Sequence, residues 1–365
     1  MAKHQEISKE LRSEIAAGIY ARDGKLPSEA QLVDRFGVSR PTVARALRDL
    51  QMEGLIERRA GSGSFIRSTE VSSTADIIGF LVPERRTTEI FEAICGEIGG
   101  LARAGGYGVL WGGSPMPFED RDASPQHARD VCAQYVDKEV SGVFFAPYEH
   151  VEDKDSLNRE LLGTLRQSGI PVVLLDRDVT QFPMRSDFDL VCLDNYAAGF
   201  MIAEHLIRLG CHDLRFVTRP ESAPTVDARI CGTREALIRY GIDVSNQLVL
   251  EGDPTSKEFA AEIVETHQAK GVICANDATA VELIQTLEKR GKKVPEHVRV
   301  VGFDDVRYAT VLSVPLTTVH QPCRELAEVA FHAMQERIEQ VSIPPRKLVV
   351  SPRLVVRETC GAYHR

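Results

Sequence analysis

The chain has 365 residues, too many for one small module, so further domains must accompany any N-terminal one. Its 44 lysines and arginines against 53 aspartates and glutamates, a net charge of −9, argue against a protein that coats nucleic acid with its whole surface. No run approaches the roughly 20 apolar residues of a spanning helix, no apolar leader follows Met1, and the eight cysteines show no C-x-x-C spacing. The expectation is a cytoplasmic protein with no membrane partner, disulfide framework, metal site or cofactor.

In chain order, Ile7, Leu11, Ile15 and Ile19 recur at four, which predicts a first helix covering a small core; Lys3, His4 and Lys9 begin it. Ser28 followed by Gln31 is a capping-box spacing, so a second helix starts there, carries Leu32, Val33 and Phe36 on one face, and stops at Gly37. Ser39 offers the next N-cap, Pro41 falls in the first turn, and Val43, Ala46, Leu47 and Leu50 form an apolar stripe. Two short helices meeting at Gly37 and Val38 make a helix-turn-helix, with Arg40, Thr42, Arg45 and Arg48 turned away from the stripe and free to face DNA. Residues 55–58 and 64–67 then predict a hairpin whose tip is Gly61-Ser62-Gly63, flanked by Arg58, Arg59 and Arg67: a wing whose backbone can approach phosphates closely.

Charge is segregated along the chain. Residues 1–70 hold 12 basic and 10 acidic side chains, while the remainder holds 32 and 43. Seven arginines stand against three acids in 35–67, an electrostatic footprint on an otherwise acidic protein. The strings LPSE, FGVSRPTVARAL, EGLI and GSGSFI resemble the GntR-type winged helix of bacterial transcription regulators over about the first seventy residues. That resemblance implies that Ser39, Arg40, Thr42 and Arg45 reach bases and phosphates of double-stranded operator DNA, with Gly61 in the wing; Pro41, Arg58, Arg59 and Ser62 complete the candidate DNA-binding set. Ala30 stands where some members place a DNA-contacting arginine.

The domain so defined spans 1–67, and 68–75, small or polar and without period, reads as a linker. From 76 onward buried-strand runs alternate with amphipathic helices. Strands are predicted at 77–82, 107–111, 142–146 and 171–175, then at 190–193, 214–217, 248–250, 272–275 and 298–303, which is an α/β fold with parallel sheets in two lobes. Ligands of such sheets sit beyond the carboxyl ends of the strands, where this chain places Thr87, Thr88, Glu89, Tyr148, Asp176, Arg177, Asp194, Asn195, Asn276, Asp277, Asp304 and Asp305. Any one of the strand-end Asp and Asn residues is better read as a helix cap or turn residue, but their convergence from both lobes suits a hydroxylated ligand, and Arg229 at the front of a helix adds a planar fork of donors.

The strings DNYAAGFMIAEHLIRLG, RICG, ICANDATAVELIQTLEKRG, VRVVGFDD and PLTTVHQP are similar to the LacI/GalR-type effector domain, itself akin to periplasmic sugar-binding proteins, over about 76–358. The resemblance implies that Arg229, Asn276 and Asp304 hold the effector from one lobe while residues after the first strand and Asp176 or Arg177 face it from the other. It places lobe 1 at about 76–177 and 322–340 and lobe 2 at about 178–320 and 345–358. Thr88, Glu89 and Ile90 stand where aromatic residues often follow the first strand, and Arg177 where some members carry a stacking ring. This argues against a purine and leaves a sugar or sugar phosphate. The pairing of head and body resembles the arabinose-repressor group of the GntR family. The implied protein is a homodimeric, sugar-controlled repressor with no catalytic residues. A ligand-dependent activator of the same build is the alternative; a sugar-modifying enzyme is opposed by His205, His212, His320 and His332, which lie scattered with no nucleophile or metal spacing beside them. The absent apolar leader and the basic head oppose a transport component.

Overall fold

A computed structural model describes residues 3–16, 26–52, 56–59, 63–66, 76–83, 89–112, 125–340 and 342–363. The chain divides into two compact units, Met1–Ala75 and Asp76–Arg365. Gly61, Ser62, Thr87, Thr88 and the expected linker lie outside the described residues, as does Ile19.

In the first unit, α1 (Lys3–Ala16), α2 (Glu29–Phe36) and α3 (Arg40–Met52) precede an antiparallel hairpin of β1 (Ile56–Arg59) and β2 (Gly63–Ile66). The capping box forms as its spacing requires: Gln31 N–H donates to the Ser28 hydroxyl at 3.3 Å, and Ser28 N–H donates to Gln31 Oε1 at 2.8 Å. Gly37, at φ 59°, ends α2 in the left-handed region that a side chain would resist. Ile7, Leu11, Leu32, Val43, Ala46, Leu47, Leu50 and Ile56 form the core, and the Leu26 N–H donates to the Ser64 carbonyl at 2.9 Å, which ties the hairpin to the start of α2.

The second unit begins with β3 (Ile77–Leu81), α4 (Glu89–Ala104), β4 (Gly108–Trp111), α5 (Pro125–Asp137), β5 (Gly142–Phe145), α6 (Lys154–Gln167), β6 (Val172–Leu175) and β7 (Asp189–Leu193). It continues with α7 (Asn195–Arg208), β8 (Leu214–Thr218), α8 (Pro224–Arg239), β9 (Val249–Glu251), α9 (Lys257–Ala261), β10 (Gly271–Cys274), α10 (Asp277–Lys289), β11 (Arg299–Asp304) and β12 (Thr317–His320). It closes with α11 (Cys323–Glu339), β13 (Lys347–Val350) and β14 (Arg353–Val355). One sheet has the order β13-β7-β6-β5-β3-β4, all parallel. The other has β14-β12-β11-β10-β8-β9, parallel except for β14. Alternate strand residues face opposite layers, as the period of two dictates. Phe80, Phe144 and Val173 pack under α4 and α11, whereas Leu81, Val143 and Leu174 pack under α5 and α6.

The sheet order corrects the expected lobe boundaries. β7 and β13, both assigned to lobe 2 by position, complete the first sheet, so lobe 1 runs through Leu193 and regains the chain for α11 and β13. A buried parallel strand reads the same whichever sheet it joins. What decides is a non-local anchor: Asp189, with a fully buried carboxylate, accepts from Arg346 N–H at 2.7 Å and Arg337 Nη2 at 2.8 Å, holding β13 and α11 against β7. The chain therefore crosses between lobes after β7, after β12 and after β13.

In lobe 2, α7 and α8 touch backbone to backbone. A Cβ on Gly199 would lie 2.0 Å from the Arg229 carbonyl oxygen, and one on Gly232 would lie 2.0 Å from that of Tyr196. Gly232→Ala is expected to force the helices apart and to lower unfolding free energy by about 1–3 kcal/mol in a urea titration; an unchanged midpoint would mean that the pair is loosely packed.

Candidate functional site

In the first unit the exposed residues of α3 include Arg40, Pro41, Arg45 and Arg48, with Thr42 half-buried. Ser39 stands just before the helix, and its hydroxyl is 2.8 Å from that of Thr42. Arg40 is held loosely, with Nε 3.4 Å from Glu29, whereas Arg35 is committed to Glu10 and Glu14 of α1 and is therefore part of the scaffold. Arg58 and Arg59 pair in register with Ser64 and Gly63 on the hairpin. One helix face with three exposed arginines beside a hairpin matches the dimensions and charge of a major-groove reader.

In the second unit a cleft lies between the two lobes. Asp176 and Arg177 follow β6, Asn276 follows β10, and Asp304 ends β11; with Arg229 from the second turn of α8, all five line it. Arg229 is 4% exposed and rigidly held: Nε donates to Asn195 Oδ1 at 2.8 Å, Nη1 to the Ala275 carbonyl at 2.6 Å, and the guanidinium lies 4.5 Å over the Phe303 ring. Its Nη2 is 3.9 Å from Asp304. Asn276 serves as both cap and wall, since its Oδ1 accepts from Thr279 N–H at 2.8 Å. Asp176 (φ 67°), just after β6, and Asp304 (φ 117°) and Asp305 (φ 59°), at the end of β11, hold left-handed backbone, the kind of strain that collects at ligand sites.

Two of the expected residues lie elsewhere. Tyr148 is buried against Phe145, its backbone paired with the Asn158 carboxamide, so the strand end turns the next residue, Glu149, into the cleft instead. Glu89 reaches across the lobes outside the cleft, accepting from Arg307 N–H at 3.1 Å. Sequence reasoning also passed over Arg219, which follows β8 by one residue and paired with Glu282; the strand-end rule applied to β8 would have found it.

The cleft's charges are mutually dependent. Burial pushes Arg177 toward neutrality, but Glu149 and Asp176 outweigh it and hold its pKa above the ordinary value. Burial likewise pushes Glu149 up, and Arg177, His150 and the Ala223 N–H more than reverse this. Asp304 differs. Burial raises it to about 7, Arg229 opposing while Asp176 and Glu149 add to the rise. Behind it Asp277, fully buried and also raised by burial and by Asp304, sits 2.6 Å from the Thr318 hydroxyl and accepts from Val306 N–H at 3.2 Å.

Bonds between the lobes run along one side of the cleft. His150 N–H donates to the Glu221 carbonyl at 2.9 Å, His150 Nδ1 is 2.9 Å from the Pro220 carbonyl, Ala223 N–H donates to Glu149 at 3.2 Å, and Lys154 pairs with Glu221. At the back, Gln321 donates to Asp176 at 2.9 Å.

Comparison with known proteins bears on both units. Residues 3–66 match the family of bacterial regulatory proteins called gntR, and residues 203–360 match the periplasmic binding protein-like domain. The arabinose metabolism transcriptional repressor of Geobacillus stearothermophilus is 25% identical over 370 residues, covering 98% of each chain. The HTH-type transcriptional repressor PurR of Vibrio campbellii is 27% identical over 321 residues, covering 87% of this chain and 90% of that one. The solved complex of the transcriptional regulator CelR with cellobiose shares the fold at a TM-score of 0.66 and 22% identity, over 88% of this chain and 91% of that one. The chain thus joins a GntR-type helix-turn-helix domain to a periplasmic-binding-protein-like domain.

A raised aspartate pKa stabilises the fold below the ordinary value of 3.8 and loses that contribution as pH rises through about 7. The thermal midpoint of the wild type relative to Asp304→Asn should therefore decline between about pH 4 and pH 7 and level off above. A flat difference would mean that Asp304 stays ionised throughout.

Proposed function

We propose that this DNA-binding transcription regulator is a homodimeric, cytoplasmic repressor of carbohydrate-utilisation genes, released from its operator when a sugar or sugar phosphate occupies the cleft between its lobes. The observation that carries this is the fixed guanidinium of Arg229. Two of its donors are spent on Asn195 and Ala275, which sets the orientation of those that remain beside Asp304. A planar donor fork next to carboxylate acceptors is complementary to adjacent hydroxyls, each of which both donates and accepts. Among the described residues on the lobe 1 side, the phenyl ring of Phe91 is 3% exposed and covered by Arg177 at 5.1 Å, so it offers no open face on which a purine could stack.

Control follows from linkage and needs no catalysis. An effector that binds one lobe arrangement more tightly stabilises it, and in a dimer that shift alters the separation of the two reading helices relative to the half-sites. A coupling of about 1–3 kcal/mol changes operator affinity roughly 5–150-fold. Among the described residues no helix is long and apolar enough to cross a membrane.

Fluorescence anisotropy with labelled operator duplex separates the two roles. Arg45→Ala should weaken DNA binding by about 1–3 kcal/mol and leave sugar affinity as it is; equal operator affinity would remove Arg45 from the contact set. Arg229→Ala should bind operator normally yet no longer release it on addition of sugar. A normal response in that variant would move the effector site elsewhere, and tighter operator binding with sugar would make the protein an effector-dependent activator or co-repressed regulator.

A further inference from the structure

A second compartment adjoins the polar cleft. Asp176 and Thr225 line both, and Asn195, the partner of Arg229, forms part of the second. This cavity also spans the lobes: Phe182, Met184 and Leu190 come from the first, Tyr196, Pro224 and Ala228 from the second.

The two differ in chemistry. The first is lined by Glu149, Asp176, Arg177, Arg219, Arg229 and Asp304; the second sets Phe182, Met184, Tyr196, Pro224 and Ala228 beside carboxylates and the cations Arg185 and Lys347. Asp178 accepts from the N–H groups of Val179, Thr180 and Ser186, Asp194 from that of Ala197, and Asp176 from Gln321. Their positions are thereby fixed. Asp178, which also accepts from the Thr180 hydroxyl, is fully engaged, while Asp176 and Asp194, each accepting one of these bonds out of about four possible, keep capacity for a ligand hydroxyl. Met184 is 71% exposed and Tyr196 42%, large side chains left at the rim of a cavity instead of packed in a core. A pyranose or furanose ring has an apolar C–H face and a rim of hydroxyls, which suits an aromatic wall edged by acceptors.

We propose that the effector carries two rings, a disaccharide with one ring beside Arg229 and Asp304 and the second between Tyr196, Phe182 and Ala228. This rests on the sugar reading of the cleft and specifies its size class. The second ring touches both lobes, so it contributes to the lobe arrangement as well as to affinity.

Calorimetric titration of the full chain with xylose and xylobiose, glucose and cellobiose, and galactose and lactose tests the idea. At least one disaccharide should bind tenfold or more tightly than the monosaccharide it contains. Tyr196→Ala, at a partly exposed position that the fold does not need, should weaken that disaccharide roughly 3- to 10-fold without changing monosaccharide binding, and Ala228→Trp should exclude the disaccharide alone. A monosaccharide that binds as tightly as its disaccharide, or a disaccharide indifferent to both substitutions, overturns the two-ring effector and leaves the sugar reading standing. Binding of no sugar of either size overturns both.

Discussion

The contact between the α7 and α8 backbones is the constraint on which the rest of the second unit depends. Two glycines, Gly199 and Gly232, let each helix press a carbonyl into the other's surface. The approach is reciprocal, so it fixes rotation and height together. Because the carbonyl that meets Gly199 belongs to Arg229, the same contact that packs lobe 2 also sets the starting point of the cleft's main guanidinium. From there the side chain reaches Asn195 at the head of α7 and the Ala275 carbonyl at the end of β10. Three separate elements thus agree on the position of one cation, and its loss of rotamer freedom is met during folding and not on binding.

Around that cation the cleft holds arginines and carboxylates in near balance, and burial makes each member depend on its neighbours. Removing one partner from such a set leaves an uncompensated charge, which costs more than the pair contributes. Asp304 is the point where the balance is least settled. With Asp176 and Glu149 on one side and the buried Asp277 behind, its proton is retained near neutrality even though Arg229 lies close. A hydroxylated ligand adds donors at that point, and donors favour the ionised form.

Much of the DNA-binding unit was legible in the residues because its determinants are local. A capping box needs only Ser28 and Gln31, a left-handed stop only Gly37, and a buried stripe only the spacing of Val43, Ala46, Leu47 and Leu50. The strand ends were also legible, which is why Asp176, Arg177, Asn276 and Asp304 came together as expected. Local pattern failed where the deciding partner is remote. Nothing near β7 says that Asp189 will meet Arg337 and Arg346, 148 and 157 residues later, so its sheet could not be assigned. Tyr148 and Glu149 illustrate a finer limit: past the last strand residue the period of two lapses, and which neighbour turns inward depends on what catches the backbone, here the Asn158 carboxamide. The glycine contact between α7 and α8 stood in the sequence as two unremarkable residues 33 positions apart, and only the packing shows what they allow.

The bonds that His150, Lys154 and Glu149 make to Pro220, Glu221 and Ala223 join the two lobes along one side of the cleft. A molecule that holds the lobes in this arrangement keeps those bonds, whereas one that needs the lobes further apart must break them. Their loss is then part of the cost of the second arrangement, and it weighs the equilibrium between the two before any molecule arrives.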